Sequence, residues 1–237
     1  MNLILLEKSD FTADNQVRLT GRRQQHILSV HRAEVGEQLR VGLLDGQLGT
    51  GQVTRIESES VELKIALFDS PPVPLPVTLL LALPRPKMLK RILQGVTTLG
   101  VKQIYLINSS RVEKSFWGSP LLHAEKLREQ LLLGLEQARD TILPEIHLRD
   151  RFKPFVEDEL PAICRGSSAL VAHPAAEQSG MTAAGQSTTL AIGPEGGFIP
   201  YEIDKLVDCG FTPFSLGERV LRVETAVPVI LSRLMTA

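Results

Sequence analysis

Four prolines stand within six residues, at positions 71, 72, 74 and 76. Proline fixes φ and carries no amide donor, so such a run is neither a helix nor a central strand. It reads as an extended linker, with one domain on either side. We set the boundaries at 1–70 for the first domain, 71–76 for the linker and 77–237 for the second.

The apolar pattern changes across this linker. Before it, short strand-like runs dominate. "NLILL" is one. "QLRVGLLDGQLGTGQVTRIE" holds two more around Asp45-Gly46, a tight-turn dipeptide. "SVELKIALF" places Val61, Leu63, Ile65 and Leu67 on one face with period two. One helix is expected near "TGRRQQHILSVHR". Short strands joined by turns, with a single helix, predict a small β-barrel.

After the linker, strands alternate with helices. "VTLLLAL", "KQIYLIN", "SALVAH", "TTLAIG" and "TPFSLG" read as strands. "PKMLKRILQGVTTLG" is a helix with Leu89, Ile92, Leu93, Val96 and Leu99 on one face and Gly100 at its end. "SPLLHAEKLREQLLLGLEQARD" predicts one long helix capped by Ser119, with Pro120 in its first turn. "YEIDKLVDCG" is a helix closed by Gly210. The last helix carries Val223, Ala226, Val227, Ile230, Leu231 and Leu234, and Pro228 within it requires a start close before. This alternation predicts an α/β domain with a mostly parallel sheet, and ligands at the carboxyl ends of its strands.

Three of those strand ends are unusual. "SALVAHP" ends in Ala172, His173 and Pro174. "TTLAIGPEGG" ends in Ile192, Gly193, Glu195, Gly196 and Gly197. "FSLGERVLRVETA" follows a strand with Leu216 and Gly217, then Arg219, Val220, Leu221, Arg222 and Glu224. All three open on one edge of a parallel sheet. Exposed main chain at such tips can hydrogen-bond an adenine or a ribose. Spacing does not distinguish His173 from an ordinary loop histidine, the plainer reading.

Several chemistries lack their signature. There is no Gly-Lys-Ser/Thr phosphate loop, no G-x-G-x-x-G opening a helix after the first strand, and no G-x-S-x-G elbow. The histidines at 26, 31, 123, 147 and 173 have no metal-ligand spacing, so no metal is expected. Cys164 and Cys209 form no disulfide framework and read as reduced thiols of a cytoplasmic protein. No apolar run approaches the roughly 20 residues of a membrane span. The start, "MNLILLEKSD", does not read as a secretory signal.

Net charge is −1, against a strongly basic nucleic-acid binder. Charge is uneven, however. From Ser70 to Val112 there is no Asp or Glu, while Arg85, Lys87, Lys90, Arg91, Lys102 and Arg111 fall inside. That is either a local positive surface or a solvated helix face. His26 and His31, near Arg22, Arg23 and Arg32, make either an RNA-facing surface or an ordinary polar one.

"IGPEGGF" (192–198) together with "LGERVLRVETA" (216–226) resembles the RsmE-type family of 16S rRNA uracil-N3 methyltransferases. "HILSVHRAEVGE" (26–37) and "LGVKQIYLINSSR" (99–111) resemble that family's N-terminal and central motifs, so the likeness spans nearly the whole chain. It implies a PUA-like RNA-binding barrel followed by a SPOUT methyltransferase domain with a C-terminal trefoil knot. It also implies S-adenosylmethionine as cofactor, 16S rRNA of the small subunit as partner, and a homodimer.

The three tips then become the cofactor loops, with Ala172, His173, Ile192, Gly193, Glu195, Gly196, Gly197, Leu216, Gly217, Val220 and Leu221 lining them. Arg222 is the leading catalytic candidate, holding a carbonyl oxygen of the uracil anion. Glu224 orients it or takes a proton, and Arg219 assists or contacts phosphate. Glu195 is expected to order its own loop. Arg22, Arg23, His26, Arg32, Arg85, Lys87, Lys90, Arg91 and Arg111 are expected to face RNA. The chain departs from the family at Gly95, Thr98 and Asp140, positions the resemblance implies to be RNA- or dimer-facing. Those changes leave open another RNA target, or a non-catalytic RNA-binding or ribosome-assembly protein.

Overall fold

The computed structural model describes residues 2–176 and 185–235, which fall into two compact units. The first comprises Met1–Val73 and Leu131–Leu143, the second Pro74–Gln130 and Pro144–Ala237. A single boundary in the proline run does not capture the second piece of the first unit.

The first unit holds strands β1 (Ile4–Leu6), β2 (Phe11–Ala13), β3 (Gln16–Thr20), β4 (Gln38–Leu43), β5 (Leu48–Ile56) and β6 (Ser60–Asp69). They form one sheet in the order β1-β4-β5-β6-β3-β2, antiparallel except for the parallel β1–β4 pair. Alternation decides which residues go inside. Val17, Leu19, Val41, Val53, Val61, Leu63 and Ile65 share one core with Ile27 from the helix Gly21–His26 and its continuation Ile27–His31. Leu3 and Leu5 point the other way and pack on Leu135. The β2–β3 hairpin was not expected. Its turn is Asp14-Asn15, with Asn15 at φ 58°, a left-handed position that asparagine tolerates.

The second unit holds β7 (Leu75–Ala82), β8 (Val101–Ile107), β9 (Glu145–Arg149), β10 (Ser168–Ala172), β11 (Thr188–Ile192) and β12 (Thr212–Phe214). All neighbours are parallel, in the order β12-β10-β11-β7-β8-β9. Each strand therefore ends on the same edge. The order reverses at β7/β11. β7 begins two residues inside the stretch read as linker. Pro76 is tolerated because the β8 register shifts between Leu75 and Thr78 and pairing with β11 starts only at Val77.

Two helices differ from expectation. Ser119 does accept the Leu121 amide, but it caps only a short turn, Pro120–Leu122. His123 is extended, and the long helix begins afresh at Ala124 and runs to Ala138. The last helix, Val223–Leu234, has Pro228 past its first turn, so the Glu224 carbonyl receives no amide there. The helix Pro200–Asp208 ends as the sequence indicates. Gly210 at φ 90° donates to Val207, and Phe211 donates to Leu206, a Schellman cap.

Candidate active site

The tips of β10, β11 and β12 converge on one pocket of about 650 Å³, open mouth included. Ala172, His173 and Pro174 form one wall, and Ile192 to Glu195 with Gly197 form the second. Phe214 to Gly217 and Arg219 to Leu221 form the third. Val223, Ala226 and Ile230 close the base from the last helix. Ten of the residues expected at a cofactor thus share this pocket: Ala172, His173, Ile192, Gly193, Glu195, Gly197, Leu216, Gly217, Val220 and Leu221.

The glycines are there for geometry. A Cβ on Gly193 would lie 2.9 Å from the Phe198 nitrogen and 3.2 Å from the Gly197 Cα and carbonyl carbon. Backbone cannot yield as a flexible side chain does. Gly197 and Gly217 adopt φ of 72° and 107°, a region other residues avoid. A bare, tightly folded main chain beside apolar walls suits a flat heteroaromatic base and its sugar.

Gly196 stands apart. It is absent from the lining, and its carbonyl accepts from the Arg111 guanidinium. Glu195 ties a different loop from its own: its Oε1 accepts the Arg85 amide at 3.2 Å. The glycine loop is thereby held between Arg85 and Arg111. Behind it, buried Glu202 accepts the Ile199 amide at 3.0 Å and the Ser110 amide at 2.6 Å. Neither Arg111 nor Glu202 was expected to brace this loop. Partners so far apart in sequence leave no local signal.

Of the expected catalytic side chains, only Arg219 lines the pocket. Arg222 is the N-cap residue of the last helix and is exposed, with Glu224 two residues on in the first turn. Among the described residues, neither the Arg219 nor the Arg222 guanidinium has a hydrogen-bond or ion-pair partner; the Arg222 carbonyl accepts the Thr225 and Ala226 amides. Sequence reasoning missed Phe214 and Ser215. It took Val223, Ala226 and Ile230 for core alone, because a helical stripe does not tell a packed face from a pocket floor.

The expected RNA-facing residues divide. Arg22 is paired with Glu136, with contacts of 2.8 and 2.5 Å, and Arg23 with Asp10 at 2.5 and 2.6 Å plus the Leu5 carbonyl. Both guanidiniums hold the first unit together; the Arg22 side chain stays half exposed, and that of Arg23 is mostly covered. His26 packs edge-on against His31, ring centroids 4.9 Å apart. Arg32 is exposed in the left-handed conformation that ends its helix. In the second unit, Arg85, Lys87, Lys90 and Arg91 are exposed along Pro86–Thr98.

The remaining titratable groups sit elsewhere. Burial pushes the Cys164 thiol up to about 11 and also raises Cys209, whose Sγ donates to the Val156 carbonyl at 3.3 Å. Neither cysteine is poised as a nucleophile. Among the described residues, no cluster of His, Cys, Asp or Glu could hold a metal ion, and no helix is long and apolar enough to cross a membrane.

Residues 71–235 match the family described as RNA methyltransferase domain, and residues 19–66 match RNA methyltransferase PUA domain. A ribosomal RNA small subunit methyltransferase E of Treponema pallidum is 29% identical over 95% of this chain and 87% of its own length. One from Synechocystis is 29% identical over 92% and 72%. Among solved structures, a methyltransferase of Legionella pneumophila with bound SAM superposes with TM-score 0.78 at 26% identity, covering 98% of this chain and 96% of that one. The chain belongs to the RNA methyltransferase family that pairs a PUA domain with this catalytic domain.

Proposed function

We propose that the protein is an S-adenosylmethionine-dependent methyltransferase acting on N3 of a uridine in 16S rRNA of the small ribosomal subunit. The observation that carries this is the convergence of three strand tips on one glycine-walled pocket that a Cβ at Gly193 would disrupt. It agrees with the family and with the SAM-bound relative. Ile192, Leu216 and Leu221 would flank an adenine, and the main chain at Ala172–His173, Gly193 and Gly217 would take its polar edge and ribose. When bound, this cofactor supplies a methyl group carried on a sulfonium.

The chain's own work concerns the acceptor. Neutral uracil N3 is a poor nucleophile, and loss of its proton spreads negative charge onto O2 and O4. A guanidinium held without a competing carboxylate stabilises that charge. Arg222 fills this role, with Glu224 as the group that takes the N3 proton and Arg219 at the pocket rim. The exposed cations Arg85, Lys87, Lys90, Arg91 and Arg32 hold phosphates without reading sequence. We further infer a knotted C-terminal segment, a homodimer and a cytoplasmic location, on the resemblance stated above.

The departures from the family pattern have local explanations that leave the pocket untouched. Asp140 is buried and its carboxylate accepts the Ile142 amide at 3.0 Å. The Thr98 hydroxyl bonds the Gln94 carbonyl at 2.8 Å, and Gly95 faces open space. Calorimetric titration with S-adenosylmethionine and its demethylated product tests the reading. One site per chain is expected, and no heat of binding for either would refute it.

A further inference from the structure

A second recess lies on the carboxyl edge of the same sheet, beyond β8 and β9. Trp117, Gly118, Ser119, Leu122, His123, Leu148 and Asp150 line it. None of them contributes to the pocket described above. Trp117 is the chain's one tryptophan. Its indole Nε1 donates to the Asn108 Oδ1 at 3.0 Å, which fixes the ring at the end of β8. Leu148 adds an exposed apolar surface, 39% accessible, on the edge strand β9. Asp150 and His123 are exposed beside these apolar groups.

The geometry points to this recess as a subsite for an unpaired RNA base flanking the target nucleotide, stacked on Trp117. This rests on the methyltransferase reading above. Four observations carry it. A half-buried indole with its one donor already satisfied has only its face and edge left to offer, and nucleobases stack on such faces. Asp150 repels phosphate, so it selects the base rather than the backbone, and it accepts a base N–H. The segment that presents Trp117 also presents Arg111, which braces the glycine loop, and the exposed Lys114. Strands lie about 4.8 Å apart, so the gap between β8 and β9 is only about 12 Å from the end of β11. One RNA strand can thus occupy both places.

The lone tryptophan makes the test direct. Short single-stranded oligoribonucleotides are titrated into the full-length protein while its intrinsic fluorescence is followed. Saturable quenching is expected, with Trp117→Ala binding RNA roughly 5- to 150-fold more weakly and Trp117→Phe recovering much of the loss. Calorimetry with S-adenosylmethionine verifies that Trp117→Ala stays folded, since its pocket is separate. Saturable RNA binding without a fluorescence change, or unchanged affinity in Trp117→Ala, overturns the subsite while leaving the methyltransferase reading intact. Absence of cofactor binding in the wild type overturns that reading instead.

Discussion

Gly193 shows most clearly how single residues shape the pocket. Its missing Cβ lets the strand tip fold against Gly197 and Phe198. Gly193→Ala forces that backbone apart, costing about 1–3 kcal/mol of stability and at least tenfold in S-adenosylmethionine affinity. Calorimetry on the folded variant measures the second effect. Arg222 makes the opposite prediction, since it lines no wall of the pocket. Arg222→Ala should leave cofactor affinity unchanged and lower methylation by roughly 10²- to 10³-fold, the scale for removing one charge-stabilising donor. Near-native methylation by that variant removes Arg222 from the mechanism. The thiols give a pH test. The folded Cys164 ionises near 11 against about 9 when unfolded. Its contribution to stability is therefore complete below pH 9 and falls as pH rises from 9 through 11. A disulfide reagent at pH 8 should label it slowly in the native state and rapidly after denaturation. Equal rates would contradict its burial.

Elements depend on joints that no local pattern announces. The strands β4, β6, β7, β8, β10 and β11 were legible because burial writes alternation or continuous apolar runs into them. The hairpin β2–β3 was not read, although Asp14-Asn15 is a turn signal and Val17 and Leu19 alternate. Strand β9 is a polar edge strand of five residues, Glu145–Arg149, with little apolar periodicity to see. The pocket loops were legible from their glycines. Their bracing was not: Glu202 reaches back 92 residues to the Ser110 amide, and Arg111 reaches 85 residues to Gly196. Glu202→Ala strips two backbone amides of their acceptor and should cost about 2–4 kcal/mol in chemical denaturation. A loss below 0.5 kcal/mol, about the size of an ordinary surface change, would mean the brace is idle. The basic residues 22 and 23 teach the converse lesson. Composition shows a cation, but only the fold shows that Asp10 and Glu136 already occupy it.

At the scale of the whole molecule, the chain pairs a mostly antiparallel six-stranded sheet with a six-stranded parallel one, and the candidate pocket opens on one edge of the second. The proposed homodimer predicts a particle of twice 26.1 kDa by light scattering at micromolar concentration, and a monomer there would remove that part of the account. Phosphate contacts through exposed cations predict RNA affinity that falls steeply with salt, and a flat response from 50 to 200 mM would contradict them. The central claim is methyl transfer from the strand-tip pocket to a uridine. It is tested by incubating the protein and labelled S-adenosylmethionine with small-subunit rRNA from cells lacking the gene, then digesting the RNA for mass spectrometry. The account predicts one labelled nucleoside, 3-methyluridine, formed by the wild type and strongly reduced in Gly193→Ala. Label in no nucleoside, or at a different atom or base, would contradict it.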